Sequence, residues 1–176
     1  FGSSHLNTSP PRSLADALLA PTGKMAAMIT VSTAVSVHGA RRAVAAGIAE
    51  AEKSGFKVTV AVCDAGGHLI ALERMDGAMP ASTEIAAGKA RSAVMFARET
   101  RLLEAGVNGD KSGGTERAAL LSSGYVLMEG GIPIVDGKER IIGAVGVSGV
   151  KPKEDAAVAA AAAAALLPPL PPASKL

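Results

Sequence analysis

A histidine and the only cysteine of the chain flank one short turn. Cys63 precedes Asp64-Ala65-Gly66-Gly67, and His68 follows it. An imidazole can ligate haem iron or cobalt and can move protons near neutral pH. One Cys and one His are too few ligands for structural zinc. We therefore take His68 as a candidate metal ligand with Cys63 beside it, and the alternative is a strand-end histidine satisfied by local hydrogen bonds.

Two cations, Arg74 and Lys89, could hold the acid group of a small ligand, and Asp76 is a further candidate for ligand binding. Arg74 and Asp76 follow the second predicted strand, where Arg74 could hold a carboxylate in a bidentate pair. Asp76 could instead cap the next helix or bind Arg74, which would make the segment a structural turn. Lys89 lies inside the second predicted helix, where it either faces the sheet and contacts an acid group or belongs to a solvated helix face.

An enzymatic interpretation uses partly the same residues. His68, Glu84 and Tyr125 would supply acid/base chemistry on a small carbonyl or hydroxy-acid metabolite, and Arg74 would hold its carboxylate. The sequence contains no G-x-S-x-G or H-E-x-x-H motif, and Gly113-Gly114 and Gly130-Gly131 lack the features of a phosphate-binding loop. A catalytic triad is therefore unsupported, and whether the protein is an enzyme stays open.

Composition limits the classes of partner. The 176 residues fit one domain, 48% are hydrophobic, and only 2% are aromatic. Scarce aromatic residues argue against stacking on nucleic-acid bases, and a net charge of +2 without a basic run argues against phosphate binding. One cysteine allows no intrachain disulfide, and the apolar stretch 156–167 is too short to span a bilayer. We expect a cytoplasmic protein that binds neither nucleic acid nor membrane.

The order of predicted elements indicates an α+β domain. Residues 1–27 read as a flexible arm, 28–167 as the domain, and 168–176 as a proline-rich tail. Helices are predicted at 32–53 (capped by Ser32 or Thr33), 80–97, 99–105 and 153–167, and strands at 57–63, 68–74, 131–135 and 140–148, with a glycine-rich loop at 106–114. Strands that come as hairpins and helices that come in blocks predict an antiparallel sheet with helices packed on it.

Each predicted hairpin has one bulky face and one face of small residues, because side chains alternate along a strand. The predicted bulky faces contain Val58, Val60, Val62, Leu69 and Ala71 in the first hairpin, and Ile132, Ile134, Ile141, Val145 and Val147 in the second. The opposite faces contain Thr59, Ala61, Cys63, His68, Ile70 and Leu72, and Ile142, Ala144, Gly146 and Ser148. Either a helix or subunit packs against the small faces, or a ligand pocket forms at that packing.

Four ordered motifs resemble the GlcG/HbpS family. They are the run 60–78, Lys89-Ala90, the run 130–134 and the run 143–149, within a resemblance that covers about 30–167. The resemblance implies a profilin-like or PAS-like α+β fold, an antiparallel sheet of about five strands, and homo-oligomers from dimer to octamer. It also implies binding of haem or a corrinoid with His68 as metal ligand, and a haem-degrading or redox-sensing role. The remaining hypothesis is an assembly protein whose small face is only an interface.

Overall fold

The computed structural model describes residues 32–109 and 123–166. All the elements described below belong to the unit that begins at Thr33. The predicted arm, the proline-rich tail and most of the glycine-rich loop lie outside the described residues, so these three predictions stay predictions.

Eight elements follow the predicted order. They are α1 (Val37–Lys53), β1 (Thr59–Asp64), β2 (Leu69–Arg74), α2 (Ser82–Met95), α3 (Thr100–Asn108), β3 (Gly131–Val135), β4 (Ile141–Ser148) and α4 (Pro152–Ala164). The cap of α1 is Ser36, whose hydroxyl accepts the Gly39 N–H at 3.1 Å, so the predicted cap at Ser32 or Thr33 is wrong. Helix α3 continues to Asn108, into the start of the predicted glycine-rich loop.

The described strands form one antiparallel sheet in the order β2-β1-β4-β3. This confirms the α+β class and the antiparallel sheet, with four strands among the described residues where about five were expected. The central pair is β1 with β4, in which Ala61 lies opposite Gly146 and Cys63 opposite Ala144. The two hairpins are thus joined through their inner strands.

One face of the sheet carries the branched core, and the other carries α2. Helices α1 and α4 cover the bulky face, where Val60, Val62, Val145 and Val147 are fully buried. On the small face, a Cβ at Gly146 would lie 2.1 Å from the carbonyl oxygen of Ala86 in α2. The backbone of α2 therefore lies directly on the sheet, which confirms that a helix packs against the small face.

Each hairpin contains a β-bulge near its turn, and the bulges overturn part of the face assignment. In the first hairpin Val62 lies opposite Ala71, but Cys63 lies opposite Leu69, so one residue of β2 is extra. Leu69 therefore shares the face of Cys63, and Ile70 packs on the branched core instead. The Asp64 N–H donates to the carbonyl of His68, so His68 lies opposite Asp64 and not on the face of Cys63.

The second hairpin shows the same change at its turn end. Val135 lies opposite Ile141, whereas Ile134 lies opposite Gly143, which leaves Ile142 as the extra residue. Ile142 packs on the branched core and Ile141 packs with Cys63 on the α2 side, the reverse of the predicted faces. Alternation predicts the faces correctly up to each bulge and wrongly beyond it.

Candidate functional site

A cleft of about 390 Å³ lies where α2, the turn end of the first hairpin and the segment 124–126 meet. Its volume falls within the range of small-molecule pockets. The residues that line it are Cys63, Gly67, Leu69, Glu84, Ile85, Ala87, Gly88, Arg91, Gly124, Tyr125 and Val126. Apolar walls with a few charged and aromatic groups are typical of a ligand site, so we treat this cleft as the candidate site.

Helix α2 supplies one wall through residues on a single face. Glu84, Gly88 and Arg91 are spaced four and three residues apart, which places them one above another on a helix. A Cβ at Gly88 would lie 2.4 Å from Cγ2 of Val126, so the glycine lets Val126 pack directly against the helix. The charged groups Glu84 and Arg91 are left at opposite ends of this wall.

Tyr125 is held in place by three contacts of its segment with α2 and with Phe96, the residue that caps the C-terminal end of α2. Its ring meets Phe96 edge to face with centroids 5.0 Å apart, and the Arg91 guanidinium carbon lies 5.4 Å from its centroid. The neighbouring Val126 N–H donates to Oγ of Ser92 at 2.9 Å. The tyrosine therefore presents a fixed aromatic surface to the cleft.

Cys63 lines the cleft as a neutral thiol. It is buried between Ala90, Ala93 and Ala144, and this burial raises its pKa to about 11. Thiolate, not thiol, is the form that ligates metals and attacks electrophiles. Cys63 therefore acts as a small apolar wall residue of the cleft at neutral pH.

His68 is not among the residues that line the cleft. Its side chain is 83% exposed, with Nδ1 3.4 Å from Oδ1 of Asp64. That carboxylate accepts the backbone N–H groups of His68 at 2.9 Å and Gly66 at 2.8 Å. These hydrogen bonds, led by the one from His68, lower the pKa of Asp64. Both sequence neighbours of His68, Gly67 and Leu69, line the cleft, but the imidazole itself lies on the side of Asp64 and does not line it.

The two predicted acid/base partners lie in the cleft, but the predicted carboxylate holder does not. Glu84 and Tyr125 are both lining residues. Arg74 is exposed at the other end of β2, about 16 Å along the strand from Leu69. Asp76 is exposed in the following loop and does not cap α2, which begins at Ser82 after Ala81 without a side-chain cap. The placement of Arg74 and Asp76 at a ligand site is therefore unsupported by the geometry of the described residues.

Lys89 faces the sheet, so the interpretation as a solvated helix face is wrong. Its ammonium is buried and donates to Oδ2 of Asp155 at 2.7 Å and to the Val147 carbonyl at 3.0 Å. The acid group that it contacts therefore belongs to the first turn of α4. Burial raises the pKa of Asp155, and the hydrogen bond from Lys89 opposes that rise. With its ammonium already paired inside the protein, Lys89 is not available to a ligand in the cleft.

Sequence reasoning did not identify Arg91 as a site residue. The feature that could have identified it is its spacing of seven residues from Glu84. Two charged residues seven apart on one helix, with a glycine between them, indicate a helix face that something approaches closely. Val126 carried no signal, because its packing on Gly88 depends on a segment far away in the chain. Among the described residues, no group of three or more His, Cys, Asp or Glu side chains could hold a metal ion.

These features define an α+β domain in which a helix covers the small face of an antiparallel sheet and leaves one cleft at its end. The sequence matches the family described as haem degrading protein HbpS-like over residues 35–164, and the chain belongs to that family. This confirms the resemblance to GlcG and HbpS. No helix among the described residues is long and apolar enough to cross a membrane.

Named relatives support the same assignment. Protein GlcG of Escherichia coli strain K12 is 48% identical over 106 residues, which are 60% of this chain and 74% of GlcG. A double mutant of Streptomyces reticuli HbpS is 32% identical, with a TM-score of 0.67 over 82% of this chain and 95% of HbpS. The PduOC:Heme complex is 28% identical, with a TM-score of 0.69 over 76% of this chain and 95% of PduOC.

Proposed function

We propose that this chain binds haem, or a related tetrapyrrole such as a corrinoid, at the cleft beside α2. Three findings support the proposal. The chain belongs to a family described as haem degrading, its fold is similar to that of a protein in complex with heme, and its cleft combines apolar and aromatic walls with a cation. The observation that carries it is the cleft itself, where apolar walls, the Tyr125 ring and the Arg91 guanidinium meet.

The side chains present fit a tetrapyrrole held by one edge. Leu69, Ile85 and Val126 offer apolar surface to the flat ring, and Tyr125 offers an aromatic face. Because the His68 side chain is exposed, it can ligate a metal only in a ligand that extends from the cleft over its rim. Cys63 is the less favourable ligand, because burial raises its pKa to about 11 and a metal would have to displace the thiol proton. A bound haem would supply an iron centre for redox sensing or for its own oxidative degradation.

The test is a titration of the purified chain with haemin, followed by the Soret band. We expect a shifted band in the wild-type protein and an altered position or intensity in the variant His68→Ala. The matched control is His38→Ala, because His38 is also exposed but lies on α1, across the sheet from α2. The absence of any Soret shift would exclude haem binding. An unchanged spectrum in His68→Ala would exclude this ligand and leave haem binding in place. A parallel titration with a corrinoid distinguishes the two kinds of tetrapyrrole.

The competing enzymatic function rests on Glu84 and Tyr125, because both side chains line one cleft. A general acid and a general base must reach the same bound substrate, and two side chains that line one cleft are candidates for these roles. Turnover of small carbonyl or hydroxy-acid metabolites by haem-free protein would favour the enzyme, with loss of turnover in Glu84→Gln as its check.

We also propose that the chain forms homo-oligomers and is located in the cytoplasm. Leu69 and Met95 are large apolar side chains exposed close to the cleft opening, which favours their burial in an assembly. Light scattering on the purified chain measures the oligomeric state, and a monomer at micromolar concentration would contradict the expected dimer-to-octamer range.

A further inference from the structure

The cleft contains an arginine whose charge is not neutralised by the described part of the chain. Arg91 lines the cleft, and among residues 32–109 and 123–166 no carboxylate lies within ion-pair distance of its guanidinium. Its guanidinium carbon lies 5.4 Å from the centroid of the Tyr125 ring, and its N–H groups donate no hydrogen bond to a described residue. A guanidinium with free donors in a ligand-sized cleft is suited to binding a carboxylate in a bidentate pair.

The side chain of Arg91 is exposed and passes close to two glycines. A Cβ at Gly67 would lie 3.3 Å from Cγ of Arg91, and one at Gly124 would lie 4.0 Å from its Nη1. The side chain therefore runs between two glycines, one on the hairpin turn and one on the segment that carries Tyr125. Because neither glycine has a side chain, both leave the guanidinium open to a ligand in the cleft.

The cleft is electrically polar along α2. Glu84 lines its other end, two helical turns or about 10 Å from Arg91 along the axis. An acid group is attracted at the Arg91 end and repelled at the Glu84 end. The same ligand therefore has one favourable orientation in the cleft.

From this geometry we infer that Arg91 is the carboxylate-binding residue of the cleft and sets the orientation of the ligand. This inference rests on the proposed function, in which the ligand is a tetrapyrrole that carries carboxylate side chains. The carboxylate edge of the ring lies at Arg91 and Tyr125, and an apolar edge points toward Glu84 and Ile85. Arg91 takes the role that the sequence suggested for Arg74 or Lys89, of which the first lies far along β2 and the second is paired with Asp155.

The experiment compares haemin with its dimethyl ester, in which both carboxylates are blocked. We expect the wild-type chain to bind haemin about tenfold more tightly than the ester, which is the effect of losing one charge-assisted hydrogen-bonded pair. Arg91→Gln is expected to weaken haemin binding by the same factor and to leave ester binding unchanged. Glu84→Gln is expected to leave haemin affinity equal or to increase it. The matched control is Arg98→Gln, because Arg98 is exposed just beyond α2 and does not line the cleft.

The possible outcomes distinguish a failure of the role of Arg91 from a failure of haem binding itself. Equal affinity of wild-type protein for haemin and ester, or an equal loss for both ligands in Arg91→Gln, overturns the role of Arg91 while haem binding stands. No binding of either porphyrin by the wild-type chain overturns the proposed function and this inference together. The comparison of the two ligands on wild-type protein stays decisive even if the variant fails to fold.

Discussion

Replacement of Lys89 by Met tests the buried ion pair between α2 and α4. The side chains of Lys89 and Asp155 are 0% and 3% exposed, and their atoms Nζ and Oδ2 are 2.7 Å apart. Methionine is an unbranched side chain one atom shorter than lysine and carries no charge, so the substitution leaves the Asp155 carboxylate buried without its cation. Removal of one partner of a buried pair costs about 3–5 kcal/mol, so we expect the free energy of unfolding to fall by that amount.

The control is the same substitution at Lys53, which has a pair of similar length. Its Nζ lies 2.9 Å from Oε2 of Glu50, but its side chain is 72% exposed. A surface pair contributes about 0–1 kcal/mol, so Lys53→Met is expected to change stability very little. Urea unfolding followed by far-UV circular dichroism measures both variants. A loss in Lys89→Met no larger than that in Lys53→Met would refute the assignment of a buried charge pair.

The pH dependence of the same variant provides a second check. Burial raises the pKa of Asp155, and Lys89 opposes the rise, so loss of the lysine raises this pKa further. A carboxyl whose pKa is higher in the folded than in the unfolded state contributes stability below its unfolded pKa, and this contribution is lost as the pH rises through the folded pKa. The deficit of Lys89→Met relative to wild type is therefore largest near neutral pH and shrinks toward about pH 4. A deficit that grows on acidification would contradict this account.

Two further predictions test the close packing around α2. Gly146→Ala places a Cβ 2.1 Å from the carbonyl oxygen of Ala86 and is expected to lower the free energy of unfolding in urea by about 1–3 kcal/mol. The control is Gly137→Ala, which has no atom within 4 Å of the new Cβ and is expected to leave stability unchanged. Equal effects of the two substitutions would contradict the packing of α2 on the sheet. Cys63, whose pKa lies at about 11 against an ordinary 9.0, is expected to alkylate about a hundredfold more slowly near pH 8 than in urea, because two pKa units separate the states (11 − 9 = 2). Mass spectrometry after iodoacetamide treatment measures this rate, and equal rates in both states would show that the thiol is accessible.

The element order was predictable because local patterns determine it. Alternating branched residues identify β1 and β4, and the bounds of β3 were predicted at Gly131 and Val135 as observed. Small residues such as Gly146 predicted the close approach of a second element. What they could not predict was which element approaches, since a helix, a subunit and a flat ligand all require the same lack of side chain.

The residues that contact each charged side chain in the folded protein could not be predicted from the sequence. Lys89 and Asp155 are 66 positions apart, and no local pattern links them. Arg91, two positions after Lys89, projects from a different face of α2 and reaches the cleft. Each residue of a helix is rotated by about 100° from the one before it, so Lys89 and Arg91 project in different directions. The orientation of α2 on the sheet decides that Lys89 is buried and that Arg91 is accessible.

The β-bulge in the first hairpin explains both the largest error of sequence reasoning and the shape of the cleft. Strict alternation from Cys63 and Leu72 would turn Leu69 toward the branched core and Ile70 toward α2. The extra residue in β2 reverses the two, so Leu69 enters the cleft wall and His68 lies opposite Asp64. Without the bulge the imidazole would lie on the face of Cys63, which borders the cleft. The irregularity that alternation could not predict therefore turns the imidazole away from the cleft wall and leaves it exposed beside Asp64.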